Sequence, residues 1–209
     1  STPNSPLRFF NEDVNLKGEL MLVDMNMSAQ GSFEFEGAQL SSGAFELRER
    51  MVEAEHASFA LNSRGLPDMA FGTEDVEAHV DFDARRADFS SHAGATLIDL
   101  PALKYQCLMD EFSWYMDKDR LDLTNSLVDQ SDLTFQDLAD RSSSNFFSVH
   151  PDQDGLHFLS PNATYQLDST YLRCHEVESV AVADAEIKPG DGELLIRHGA
   201  RMERLRNAV

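Results

Sequence analysis

Hydrophobic and polar residues alternate along most of this chain in short runs, the period-two signature of half-buried β-strands. Leu20 and Leu22 on one face, with Met21, Val23, Met25 and Met27 on the other, open the series. Phe33 and Phe35 alternate with Glu34 and Glu36, and Phe45 and Leu47 with Glu46 and Arg48. Phe59 and Leu61 follow; then Val76, Ala78, Val80 and Phe82 run through Glu77, His79 and Asp81. Phe112, Trp114 and Met116 form another set, succeeded by Leu121 and Leu123, Leu156 and Phe158, Ala163, Tyr165 and Leu167, Val180 and Val182, and Leu194 and Ile196. Each run spans about 4–8 residues, the usual length of a strand. Between them lie Asn62-Ser63-Arg64-Gly65, Asp117-Lys118-Asp119, Asp152-Gln153-Asp154-Gly155 and Lys188-Pro189-Gly190-Asp191-Gly192. Asn, Asp and Gly accept the positive φ of tight turns. Many short strands with regular turns predict an all-β chain: a sandwich, barrel or solenoid.

One stretch departs from the pattern. Between Ser126 and Ser144 the spacing of Leu127, Leu133 and Leu138 is loose, with Asp129, Asp132, Asp137 and Asp140 interleaved. Residues 131–139 are expected to form one short helix, with Asp132 near its start, where a carboxylate is favoured. The expected organisation is therefore a linker over 1–13, a β-repeat region over 14–125, an acidic loop or short helical insertion over 126–145, and a second β-repeat region over 146–209 that continues the same stack. A weak internal repeat supports stacking: Val80 to Phe89 is similar to Ala163 to Leu172, and Ala57 to Ser63 gives a third instance. One strand–turn–strand unit cannot bury its apolar face alone, whereas a stack of them can.

The arrangement Leu16-x-Gly18-x-Leu20, Gly31-x-Phe33-x-Phe35, Ala38-x-Leu40-Ser41-Ser42, Phe45 and Ala57-x-Phe59 resembles the OstA/LptA-like repeat. So does Val80-Asp81-Phe82-Asp83, followed by Leu100-Pro101, Tyr105 and Phe112-x-Trp114-x-Met116. His150-Pro151-x-Gln153-Asp154-x-Leu156-x-Phe158, Pro161-x-Ala163-x-Tyr165 and Ala183-Asp184-Ala185-x-Ile187-x-Pro189 are similar to the version in very large envelope proteins of Bacteroidota. The resemblance covers about residues 14–209 with an interruption near 126–144. It implies an open, jelly-roll-like or solenoid-like stack of antiparallel strands with a groove or lumen, which carries lipid acyl chains in the lipopolysaccharide-transport members. It also implies a periplasmic place in the cell envelope, and it supplies no catalytic residues.

Charge narrows the partners. Seventeen basic against 37 acidic residues give a net charge of −20, which repels nucleic-acid phosphates and anionic headgroups. No nucleic-acid partner is expected. No apolar run approaches the roughly 20 residues of a membrane-spanning helix. Cys107 and Cys174 lie in unrelated contexts, without the spacing of a disulfide framework or zinc site, and read as buried small hydrophobes. The polar, Pro-rich start, Ser1-Thr2-Pro3-Asn4-Ser5-Pro6, reads as linker, and both ends suit a piece of a longer chain.

Candidate chemistry is sparse. His150 and His157 flank Asp152 and Asp154, a set of donors that suits a divalent cation, but Asp and Gly between two strands need only be a turn. His56, His79, His92, His175 and His198 are scattered, and no pair has the helical i, i+4 spacing of a zinc motif. There is neither a Gly-x-Ser-x-Gly elbow nor a Gly-rich phosphate loop. No cofactor, metal or catalytic residue is assigned. Two readings stand for the aromatic residues Phe112, Trp114, Phe158 and Tyr165: cross-strand pairs in a β core, or the lining of an acyl-chain or sugar site. The expected function is a non-enzymatic structural or bridging module whose partners are neighbouring repeats or other envelope proteins. The alternatives are a lipid-binding or lipid-conducting groove, which includes lipid as a partner, and a glycan-active β-solenoid enzyme with converging carboxylates.

Overall fold

The computed structural model describes residues 6–10, 14–23, 26–92, 94–127, 141–183 and 185–204. The chain is all-β: among the described residues 19 strands join into one antiparallel sheet that is not closed into a barrel. Among the described residues the only helical turns are short 3-10 segments such as Pro101–Leu103 and Met116–Lys118. The helix expected over 131–139 lies outside the described residues.

The first region is a meander of long strands. β1 (Leu7–Phe9) pairs with β2 (Val14–Val23), followed in order by β3 (Asn26–Phe35), β4 (Ala38–Arg48), β5 (Met51–Asn62) and β6 (Met69–Asp81). A line of irregularities crosses these strands. It passes through the Gly18–Gly31 pair, the bulge at Ser42-Gly43-Ala44, Glu55-His56 and Glu74-Asp75. At Gly18 a Cβ would lie 1.9 Å from the Gln30 carbonyl oxygen, and Gly31 has φ +126° with Lys17 O 2.3 Å from a built Cβ. Only glycine permits that backbone approach. Bulges of this kind bend a strand and increase its twist, and here they fold the sheet over on itself.

Past this line the sheet divides. The first half of β6 pairs through Gly72 and Thr73 with β8 (Thr96–Leu100), whereas its second half, Val76–Asp81, pairs with β7 (Arg86–Ser91). From there the chain alternates between two ladders. One continues from β7 through β10 (Glu111–Tyr115), β11 (Arg120–Thr124), β14 (Asn162–Gln166), β15 (Tyr171–His175), β18 (Leu194–Arg197) and β19 (Arg201–Met202). The other continues from β8 through β9 (Tyr105–Met109), β12 (Phe146–Ser148), β13 (His157–Phe158), β16 (Val180–Val182) and β17 (Ala185–Ile187). Each hairpin thus pairs with the one before last, and its sequence neighbour sits in the opposite ladder.

The hairpin turns repeat as well. Phe82-Asp83-Ala84-Arg85, Met116-Asp117-Lys118-Asp119 and Leu167-Asp168-Ser169-Thr170 each start with a buried apolar residue, place Asp second and end at φ between 44° and 53°. The opposite ladder uses Pro101-Ala102-Leu103-Lys104 and Pro151-Asp152-Gln153-Asp154, again ending in the left-handed region. The internal repeat seen in the sequence is therefore real as a hairpin unit, but its register shifts by two: Phe82 corresponds to Leu167, not to Tyr165. Ala57 to Asn62 is not a third copy, being the far half of β5.

Strand register lines up the core. Ala78, Phe89, Phe112, Leu123, Ala163, Cys174 and Leu194 are successive partners across one ladder, and Val80, Ala87, Trp114, Leu121, Tyr165, Leu172 and Ile196 form the next row. In the other ladder Ile98, Cys107, Phe146, Phe158 and Val180 are partners in turn. All of these are buried in one hydrophobic cluster running from Val14 to Ala200. Phe71 meets Phe112 at 4.9 Å between ring centroids, which joins the two ladders face to face. Burying each such side chain contributes about 1.5–3 kcal/mol. Part of the expected linker belongs to this structure: Leu7–Phe9 pairs with β2, and Phe9 and Phe10 pack on Phe33 and Phe82. Partial burial of two aromatic rings against the core draws this segment in despite the polar, Pro-rich residues before it.

Candidate functional site

The four aromatic residues singled out in the sequence lie in the core. Phe112 stacks on Phe89 with centroids 4.5 Å apart, Trp114 contacts Phe35 and Phe59, and Phe158 stacks on Phe146 at 4.9 Å. Tyr165 is buried between Leu121 and Leu172. The polar tips of Trp114 and Tyr165 are buried, and neither Trp114 Nε1 nor Tyr165 Oη has a hydrogen-bond partner among the described residues. Burial pushes the Tyr165 hydroxyl well above the ordinary tyrosine range. Cys107 and Cys174 are buried free thiols, and burial raises both well above the usual range.

The loop carrying His150 and His157 is a turn. Pro151–Gln153 forms a 3-10 turn, Asp154 and Gly155 take positive φ, and His150 Nδ1 accepts from the Asp152 amide at 3.2 Å. His157 faces Ser144, with Nδ1 to Oγ 2.8 Å. The two imidazoles therefore serve separate local hydrogen bonds.

The feature best placed to act on another molecule is the outer half of β2. β1 covers only Val14–Leu16, so from Lys17 to Val23 no described strand pairs on that side. Leu20, Met21 and Leu22 are exposed, as is Met27 opposite on β3, with Leu22 at 70%. Alternation predicts one buried face here, but the bend at Gly18 and Gly31 carries Leu20–Leu22 beyond the core, and both faces of this stretch meet solvent. The patch is rimmed by polar pairs: Lys17 Nζ to Glu34 Oε1 at 2.6 Å, and Gln30 Nε2 donating to Glu19 Oε2 at 2.9 Å. An unpaired strand edge with apolar side chains is a template for another strand. At the far end of the stack, β17 and β19 each pair with a described strand on one side only.

Clefts on the outer surface are open. One of about 540 Å³ has a mixed lining, with Met69, Leu97 and Ala60 beside Ser58, Thr73 and Asp99. Another of about 480 Å³ gathers Glu46, Glu53, Glu55 and Glu77 with His79 and His92. Within it Glu53 is held by Arg48 at 3.0 Å and by His79 Nδ1 at 2.9 Å.

Sequence spacing misses one grouping. The fold line brings His56, Asp75 and His92 together, with one potential ligand atom from each within 4.8 Å of the others. These residues sit on β5, on β6 and just past β7, and no local motif links them. Comparison of the chain with protein-family models, curated proteins and solved structures finds no match.

Proposed function

We propose that this chain is a non-enzymatic structural module of a cell-envelope protein that bridges to neighbouring β-structure through its open strand edges. The observation that carries this reading is the edge of β2 from Lys17 to Val23, which no described strand covers, with Leu20, Met21 and Leu22 exposed along it. An added strand would satisfy the backbone groups of that edge while burying these side chains. The resemblance to OstA/LptA-like repeats supports the reading, and with it a periplasmic location and partners that are themselves stacked β-repeats. The packed interior favours scaffold over conduit. Trp114, Tyr105, Tyr165, Phe146 and Phe158 fill the interior of the stack with essentially no exposure, which leaves little room there for an acyl chain.

The test is sedimentation velocity from about 10 μM to 1 mM, the Kd range of weak edge contacts. The chain should associate as concentration rises, and a Met21→Lys/Leu22→Lys double variant should stay monomeric with its circular dichroism unchanged, since charged edges block strand addition. A wild-type chain that is monomeric throughout, or a variant that associates equally, removes the edge from the function.

A further inference from the structure

We propose that His56, Asp75 and His92 form a surface site for a borderline divalent transition-metal cation, with zinc as the reference ion. The argument starts from the backbone. β5 and β6 lose register between Ala54 and Ala57, and again between Ala57 and Phe59. His56 and Asp75 both occupy these irregular segments, where a bulge re-aims side chains out of the regular alternation. Asp75 takes φ 56°, a left-handed conformation that Asp tolerates better than most residues. Ser42, from the neighbouring bulge on β4, donates its hydroxyl to the His56 carbonyl at 2.6 Å and fixes that stretch of β5. Ser91, the last residue of β7, pairs with Val76, so His92 follows directly beside Asp75.

The side chains converge as a result. His56 Nδ1 lies 2.7 Å from Asp75 Oδ1, and the His56 and His92 rings are 4.3 Å apart between centroids. Two imidazoles and a carboxylate are a donor set that suits zinc and its neighbours, and discriminates against magnesium and calcium, which favour all-oxygen sites. Zinc bonds of about 2.0–2.1 Å in a tetrahedron set adjacent ligand atoms about 3.3–3.5 Å apart. The His56–Asp75 contact needs to open by under an ångström, and the ion takes the place of the shared proton. Water completes the shell, because all three residues are exposed. His92 also lines the cleft that holds Glu46, Glu53, Glu55 and Glu77, so the local field attracts a cation. A bound ion would tie β5, β6 and the segment after β7 together across the line where the sheet folds over.

Isothermal titration of the whole chain with zinc chloride, in excess magnesium to occupy scattered carboxylates, tests this. One saturable site with a Kd of about micromolar order is expected. His56→Ala and His92→Ala should each weaken it at least about tenfold, and Asp75→Asn by a smaller factor. His79→Ala, outside the triad, should leave it unchanged. Zinc should raise the melting temperature of the wild type but not of the His56→Ala/His92→Ala double variant. The proposal is overturned by an absence of saturable binding to the folded wild type, by equal affinity in the double variant, or by a loss confined to one histidine.

Discussion

The long-strand region, β2 to β6, and the hairpin stack that follows solve one problem in two ways. Both must build two facing layers from one sheet. In the first region strands of 10 to 13 residues run through both layers and turn the corner within themselves, by glycine and bulge. In the second, strands of two to six residues stay in one layer, and the chain crosses over in the connections. Those crossings are held by buried side chains. Asn145 donates from Nδ2 to the Ser160 carbonyl at 2.8 Å and accepts from the Ser160 amide at 2.9 Å. Asn125 Nδ2 reaches the Leu108 carbonyl at 2.9 Å, and Ser160 Oγ that of His175 at 2.7 Å. A bend inside a strand keeps its backbone hydrogen bonds almost intact, whereas a crossing interrupts the ladder and side chains must pair the backbone groups left over.

The hardest test of this comparison is whether the two regions are one cooperative unit. Trp114 belongs to the hairpin stack but packs on Phe35 and Phe59 of the long strands. Trp114→Ala should cost about 3–5 kcal/mol in urea unfolding, with a single transition retained; two separate transitions would break the picture of a shared core. Gly31→Ala attacks the corner made by backbone. Its Cβ would meet Lys17 O at a positive φ, so a loss of about 2–3 kcal/mol is expected, with faster hydrogen exchange along the paired stretch Glu19–Leu22 and Met27–Gln30. Asn145→Ala attacks the corner made by side chains. It strands the buried Ser160 backbone groups and should cost about 1–3 kcal/mol. Equal exchange rates around 145–160 in this variant and the wild type would mean that the amide is not the bracket.

The smallest effect concerns packing inside the stack. Tyr165→Phe removes a buried hydroxyl that has no partner among the described residues, so stability should hold or rise by up to about 1 kcal/mol. It should also change the alkaline limb. The folded tyrosine holds its proton to higher pH than the unfolded one, so ionisation favours the unfolded chain: stability is unaffected by this group below about pH 10 and declines as pH rises beyond that. Urea unfolding between neutral and alkaline pH should decline less steeply in Tyr165→Phe; an identical slope would remove this residue from the limb.

Much of the first region is legible in the sequence, because its pairings join consecutive strands. Phe33 and Phe35, Val76, Ala78 and Val80 all face inward as alternation predicts. In the stack, alternation again identifies the inward residues, Phe112, Trp114, Leu121, Leu123 and Tyr165, but not their partners. The pairing of Leu123 with Ala163 skips a whole hairpin and the residues between. The exposure of Leu20 and Leu22 follows from the bend at Gly18, not from their own pattern.

By itself, then, the sequence determined that this chain is built on β-strands, which positions are apolar, and where its turns fall. These depend on side-chain period and on the local tolerance of Asn, Asp and Gly for positive φ. Only the tertiary structure decided which strands are neighbours, which edge no described strand covers, and that His56, Asp75 and His92 share one corner. Those outcomes depend on where a bend sends the rest of the chain. A glycine or bulge sets that locally, but its consequence appears only when distant strands come to lie side by side.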